Sequence, residues 1–293
     1  MTWRLSCAPD DGTADMGLRL DGWLWTASSR TQEGAWAPAL SLIERAGATS
    51  PFEPIDADEI ARTTGSTASY AGVVEPFAET VQPAKLAIGL RDLAIERGVA
   101  VHEGTPATAI DLGPTCRLET PRGRIEADQV VLAANAWLSS VPEIRRHMYV
   151  VDSQVIATQP VPGRLDAIGW TSGQSICDSQ TQVLYYQRTR DGRVVLGRGS
   201  GGPVFGDRLG EKTNRHPRWV RDSVRELYRV YPALRGVRHR PRLAGPDRLR
   251  AVARARLRPA ARPGQRRVRR RLERHRHRTD PGRQPHPGEP RTR

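Results

Sequence analysis

Apolar and polar residues follow two different periods along this chain. In DGWLWTAS, Trp23 and Trp25 point to one side and Leu24 to the other, which predicts a strand. Gly34 to Gly47 then places Trp36, Leu40, Ile43 and Glu44 at helical spacing, with Gly47 as the stop. A second short helix is expected to open at Asp56, whose carboxylate can cap the amides of DEIARTTG. Farther on, Pro83 starts a helix where its missing N–H does no harm. Leu86, Leu90, Leu93 and Ala94 form its apolar stripe, and Gly98 ends it. A strand Val99–His102 is predicted next. Arg117–Thr120 and Arg124–Ala127 follow as two short strands joined by Pro121-Arg122-Gly123. Gln129–Ala134 is apolar almost throughout, the pattern of a parallel strand covered on both faces.

Beyond residue 150 strand-like runs dominate, at Ser153–Thr158, Gln182–Arg188 and Arg193–Gly197, with Asp191-Gly192 as a hairpin turn. One amphipathic helix follows, carrying Val220, Val224, Leu227 and Tyr231, with Pro232 just past its end. Helices and strands alternating first and clustering later predict an α/β (α+β) fold.

The net charge of +14 suggests a nucleic-acid binder until its distribution is considered. Residues 240–293 hold 19 arginines, no lysine and only four acids, so the preceding 239 residues are nearly neutral. This segment also has no aromatic residue, six large aliphatics and eight prolines, a composition predicting a disordered tail. Cys7, Cys116 and Cys177 lie far apart with no CxxC pair, which argues against a disulfide framework and a zinc site. No apolar run approaches the roughly 20 residues of a membrane span, and the first residues lack a signal-peptide pattern. The expectation is a cytoplasmic protein with no metal and no membrane partner.

Residues 73–137 carry the most specific sequence, VVEPFAETVQPAKLAIGLRDLAIERGVAVHEGTPATAIDLG followed by ETPRGRIEADQVVLAANAW. A Pro-started helix, a GV strand, EGTP, a hairpin and AD-x-VV-h-A-x-NAW, in that order, resemble the FAD-dependent oxidoreductases of the D-amino-acid oxidase superfamily. The later YYQRTRDGRVVLGRG is similar to that family's substrate-domain hairpin. About residues 16–238 fit the resemblance.

The resemblance implies an incomplete FAD/NAD(P)-binding Rossmann-like domain interleaved with a mixed, largely antiparallel-sheet substrate domain. Residues 1–15 would be a leader, 16–79 and 141–238 the two parts of the substrate domain, and 80–140 the remainder of the FAD-binding domain. The tail would be 239–293. It also implies FAD as cofactor and an amino acid or secondary amine as substrate, oxidised at its CH–NH group by hydride transfer to the flavin.

Candidate cofactor contacts are the backbone at Ala107, similar to the position that holds the adenine, and Ala133, Ala134 and Asn135. These three end the predicted buried strand, where small side chains let a dinucleotide approach. Trp137 is expected as a core anchor. Tyr186 and Arg188 share a strand face with Tyr185 turned away, and supply an aromatic wall and a carboxylate-binding guanidinium. An ordinary half-buried tyrosine and an exposed arginine are the alternative. No general base stands out.

Gly197, Gly199 and Gly202 spell GxGxxG after a strand, but Pro203-Val204-Phe205-Gly206 follows instead of a helix. An irregular loop leaving the substrate sheet is expected there. The family begins with a real glycine turn and closes with a glycine-rich segment over the flavin, and neither is visible. Read one nucleotide later with suitable synonymous codons, residues 240–293 can encode such a closing segment. The sequence reading is therefore an enzyme truncated at its start and frameshifted near Arg238–Arg242, inactive as written. A nucleic-acid binder using the Arg-rich tail and a non-catalytic pseudogene product are the alternatives. A tail with no lysine argues against the first.

Overall fold

The computed structural model describes residues 17–113, 115–204 and 217–249. Among these the chain divides into two compact units, one made of 17–106 with 132–249 and the other of 107–131. The elements of the larger unit begin with β1 (Trp23–Ala27), α1 (Ala37–Arg45), β2 (Glu53–Asp56), α2 (Ala57–Thr64), β3 (Ala71–Glu75) and α3 (Pro83–Glu96). The smaller unit is an antiparallel sheet of β4 (Ala109–Asp111), β5 (Cys116–Thr120) and β6 (Gly123–Ala127) in that order. The larger unit resumes with a 3-10 helix (Asn135–Ser140), α4 (Pro142–Arg145), β7 (Tyr149–Thr158) and α5 (Pro162–Ala167). It ends with β8 (Ser175–Asp178), β9 (Leu184–Arg188), β10 (Val194–Pro203), α6 (Pro217–Val230) and β11 (His239–Leu249).

Local signals set several of these bounds. Asp56 accepts a hydrogen bond from Glu59 N at 2.8 Å, capping α2, and Gly65 closes it with φ of 67°. Gln82 caps α3 by accepting from Lys85 N, Pro83 opens it, and Gly98 follows at φ of 84°. The β5–β6 and β9–β10 hairpins turn where Arg122-Gly123 and Asp191-Gly192 predict.

Eight strands form one sheet in the order β11-β7-β10-β9-β8-β1-β3-β2. Every pairing is antiparallel except β1 with β8. Strands from before and after residues 80–140 thus share one sheet. The register aligns Leu24, Ile176, Tyr186, Leu196 and Ile156 in a row across five strands. All five are between 0% and 6% exposed. The apolar stripe of α6 lies over this face, burying Leu227, Val230 and Tyr231 beside Trp170. Trp170 stacks on Tyr231 at 4.4 Å and 9°, with Tyr186 edge-on at 6.1 Å. Burying so much apolar area on one sheet face is the main source of this unit's stability.

Other expectations are corrected. Neither Val99–His102 nor Gln129–Ala134 is a strand; Val99 is 54% and Val131 82% exposed. A buried parallel strand needs hydrogen-bonded neighbours, and among the described residues no strand lies beside either segment. The stripe of α3 is not covered either, for the helix has no buried residue and Leu90 is 48% exposed.

Trp137 lies 59% exposed rather than anchoring a core. Its 3-10 helix instead turns Ala136, Leu138 and Ser139 inward. Gly197–Gly202 do not leave the sheet. They stay inside β10, with a register shift against β7 between Arg198 and Gly202.

His239–Leu249, assigned to the expected tail, instead pair with β7 along its whole length. The edge of β7 needs backbone partners, and β11 supplies them whatever its side chains. Pro241, which has no N–H to donate, falls at a register shift. Residues 250–293 lie outside the described ones.

Candidate functional site

Alternation along the strands decides which side chains share a face of the sheet. Opposite the closed face, the next row across the same five strands is Trp25, Cys177, Tyr185, Gly197 and Val155. Beside it runs Trp23, Ser175, Gln187, Val195 and Ala157. Most of these side chains remain partly exposed, so this is the open face of the sheet.

The open face is aromatic at one end. The Trp23 and Trp25 rings stack at 5.6 Å and 13°, Phe52 meets Trp23 edge-on at 5.4 Å, and Trp36 meets Trp25 at 6.4 Å. Each indole N–H on β1 is satisfied within the sheet. Trp23 Nε1 donates to Cys177 Sγ at 3.3 Å and Trp25 Nε1 to Ser179 Oγ at 3.0 Å. Burial pushes the Cys177 thiol up, so it stays protonated near neutrality and acts as a small apolar group rather than a nucleophile.

Tyr185 holds the middle of the face. Its ring lies directly over Gly197, where a β-carbon would overlap the ring, and its hydroxyl is 3.1 Å from Ser153 Oγ. The glycine therefore lets a phenol cross from β9 over β10 to β7. Gln187 lies one step along the same face and donates to Thr80 Oγ1 at 3.1 Å.

The structure places the predicted site residues differently from one another. Tyr186 is 6% exposed in the closed core, and burial raises its phenol far above its ordinary value. Arg188 donates to Trp170 O and, at 2.8 Å, to Asp166 Oδ1. Neither is presented to the open face, because the apolar neighbours of Tyr186 draw its side of β9 under α6. Ala133 and Ala134 are exposed, as is Asn135, which is the one non-glycine residue with positive φ (45°) among those described. They lead into the 3-10 helix, which touches β7 and β11. Ala107 is also exposed, in the smaller unit. Sequence reasoning missed Tyr185. The signal was present in the side shared by Trp23 and Trp25, but only sheet register shows that Tyr185 belongs with them.

For a flavin dinucleotide the described residues offer a partial fit. The small exposed Ala133 and Ala134 and the open backbone before them suit close approach by a flat group, but no glycine turn opening a helix lies among them. No group of three or more His, Cys, Asp or Glu residues able to hold a metal lies among the described residues. Nor is any described helix long and apolar enough to cross a membrane.

The sheet is thus mixed, closed by α6 on one face and lined by aromatics at one end of the other. Residues 3–275 match the DAO family, FAD dependent oxidoreductase, and the chain belongs to it. That match runs past 238, where the sequence resemblance was drawn to a close.

Among curated relatives, the Escherichia coli (strain K12) gamma-glutamylputrescine oxidoreductase is 28% identical over 64% of this chain and 42% of its own length. The oxidoreductase OrdL of Rhizobium meliloti (strain 1021) is 27% identical over 62% of this chain and 41% of its own. The chain thus spans less than half of either relative. Its fold is similar to glycine oxidase from Bacillus cereus, with TM-score 0.64, 17% identity and 81% and 62% of the two chains covered. L-proline dehydrogenase from P. horikoshii gives TM-score 0.62 at 17% identity, covering 78% and 60%.

Proposed function

We propose that this chain provides the substrate-binding sheet and part of the nucleotide-binding region of an FAD-dependent oxidoreductase. The reaction is oxidation of the CH–NH group of a small amino acid or secondary amine, in the cytoplasm. The observation that carries the reading is the sheet's division into a closed aliphatic face and an open face bearing Trp23, Trp25 and Tyr185. The match to a family of FAD-dependent oxidoreductases supports it.

On this reading the open aromatic face shields the reacting carbon from water, and Tyr185, held by Ser153 and Gly197, orients the substrate's polar end. The family resemblance supports Ala133, Ala134 and Asn135 as residues beside the dinucleotide and the backbone at Ala107 as an adenine contact. When bound, the flavin supplies the hydride acceptor. No protein base is assigned. Tyr186 and Arg188 shape the sheet from behind rather than touching substrate.

The chain is expected to hold FAD poorly, since no GxGxxG turn leading into a helix lies among the described residues. A frameshift near Arg238–Arg242 is part of this reading, and the nucleotide sequence around codon 240 tests it. The functional test is to purify the chain with excess FAD and measure bound flavin. Sub-stoichiometric flavin is the expected result. One flavin per chain would show that the pyrophosphate anchor is present after all.

A further inference from the structure

The geometry points to a second ligand site, for a small carboxylate- or phosphate-bearing anion, in the cleft at the far end of β7. This cleft has a volume of about 690 Å3 and is lined by Thr158, Gln159, Arg193, Tyr228, Arg238 and His239 among others. Cavities of several hundred cubic ångströms suit small molecules. None of Trp23, Trp25 and Tyr185 lines it. It sits at the Thr158 end of β7, where Ala157, the last residue of the open-face row, lines one side of it.

The charge of the lining is one-sided, with two guanidinium groups, one imidazole and no carboxylate. Both guanidinium groups are held in place. Arg193 donates from Nη1 to Thr158 O at 3.3 Å and from Nε to Asp191 Oδ2 at 2.6 Å. Arg238 donates from Nε to Gln159 Oε1 at 3.1 Å. A third cation stands beside the cleft, where Arg235 lies over the Tyr228 ring at 5.7 Å.

Asp191 offsets part of the charge of Arg193, so Arg238 carries most of the unbalanced charge. His239 Nδ1 is buried and has no hydrogen-bond partner, a donor or acceptor that a ligand atom or a water must satisfy. Anchored guanidinium groups present planar pairs of donors, which match the two oxygens of a carboxylate or phosphate. Tyr228 and Val237 add an apolar wall, so the favoured ligand carries the anion on a short organic body.

The experiment follows the His239 imidazole by NMR in the full chain, with its resonances assigned through His239→Gln. Inorganic phosphate and acetate are titrated separately at constant ionic strength against chloride. A saturable shift with one of them is the expected result, and which one saturates identifies the chemistry. In Arg238→Gln, whose residue is exposed and whose fold is checked by circular dichroism, the apparent affinity should fall by at least about fivefold. Arg238→Lys should recover part of it. The arginine-rich tail can take up phosphate without moving His239, so the readout is specific to the cleft. A shift that does not saturate, or that is the same in Arg238→Gln and Arg193→Gln as in the parent chain, overturns the proposal.

Discussion

The eight-stranded sheet and the stretch from 80 to 137 meet the same physical demand in opposite ways. Every strand of the sheet is hydrogen-bonded to at least one neighbour, and one face is sealed by α6 and Trp170. The other stretch has equally clear local signals, but α3 buries no residue, and 99–102 and 129–134 pair with no strand among the described residues. Local pattern is thus sufficient to start a helix or extend a strand. It does not supply the neighbour that makes the element part of a core.

The sharpest way to break this contrast is to remove the largest side chain of the closed face. Trp170→Ala should lower the unfolding free energy by about 3–5 kcal/mol, since it empties the stack on Tyr231. Chemical denaturation reads it, and a loss near zero would mean that α6 does not seal the sheet.

Gly197→Ala should have an intermediate effect, about 1–3 kcal/mol, because its methyl group displaces the Tyr185 ring from the open face. The companion Tyr185→Phe, which keeps the ring and loses only the hydroxyl contact to Ser153, should change stability less. Equal losses in the two variants would remove the packing argument for the glycine.

The closed face should also show itself in pH. Burial raises the phenols of Tyr186 and Tyr231 above the usual value of about 10. The unfolded chain therefore releases these protons at lower pH than the folded one. The stability linked to them is whole below about pH 10 and is lost as pH rises through the folded values. Denaturation midpoints should fall as pH rises above about 10, and Tyr186→Phe should flatten the slope. An unchanged slope would mean that the phenol is not sequestered.

The smallest effect is expected in α3. Leu90→Ala should stay within about 0.5 kcal/mol, as for a surface position, although it removes the middle of a well-formed apolar stripe. A loss of core size would show that the stripe is covered in solution.

Much of the fold was legible in the sequence because its causes are local. The Asp56 cap, the Pro83 start, the glycine stops at 47 and 98, the hairpins at 122–123 and 191–192 and the α6 stripe each depend on a few adjacent residues. The ordered motifs from 73 to 137 led to the family for a similar reason, since they are contiguous. Pairing is not local. Whether Gln129–Ala134 becomes a strand depends on residues far from it. The alternation of Tyr185 and Tyr186 said only that they face opposite ways, and the register of five strands assigned one to the core and the other to the open face. His239–Leu249, unpromising by composition, became a strand because the edge of β7 had backbone groups to satisfy. The sequence by itself determined where the locally capped helices and the tight turns fall. The tertiary structure decided which of them are buried, because burial is a property of the neighbours an element finds.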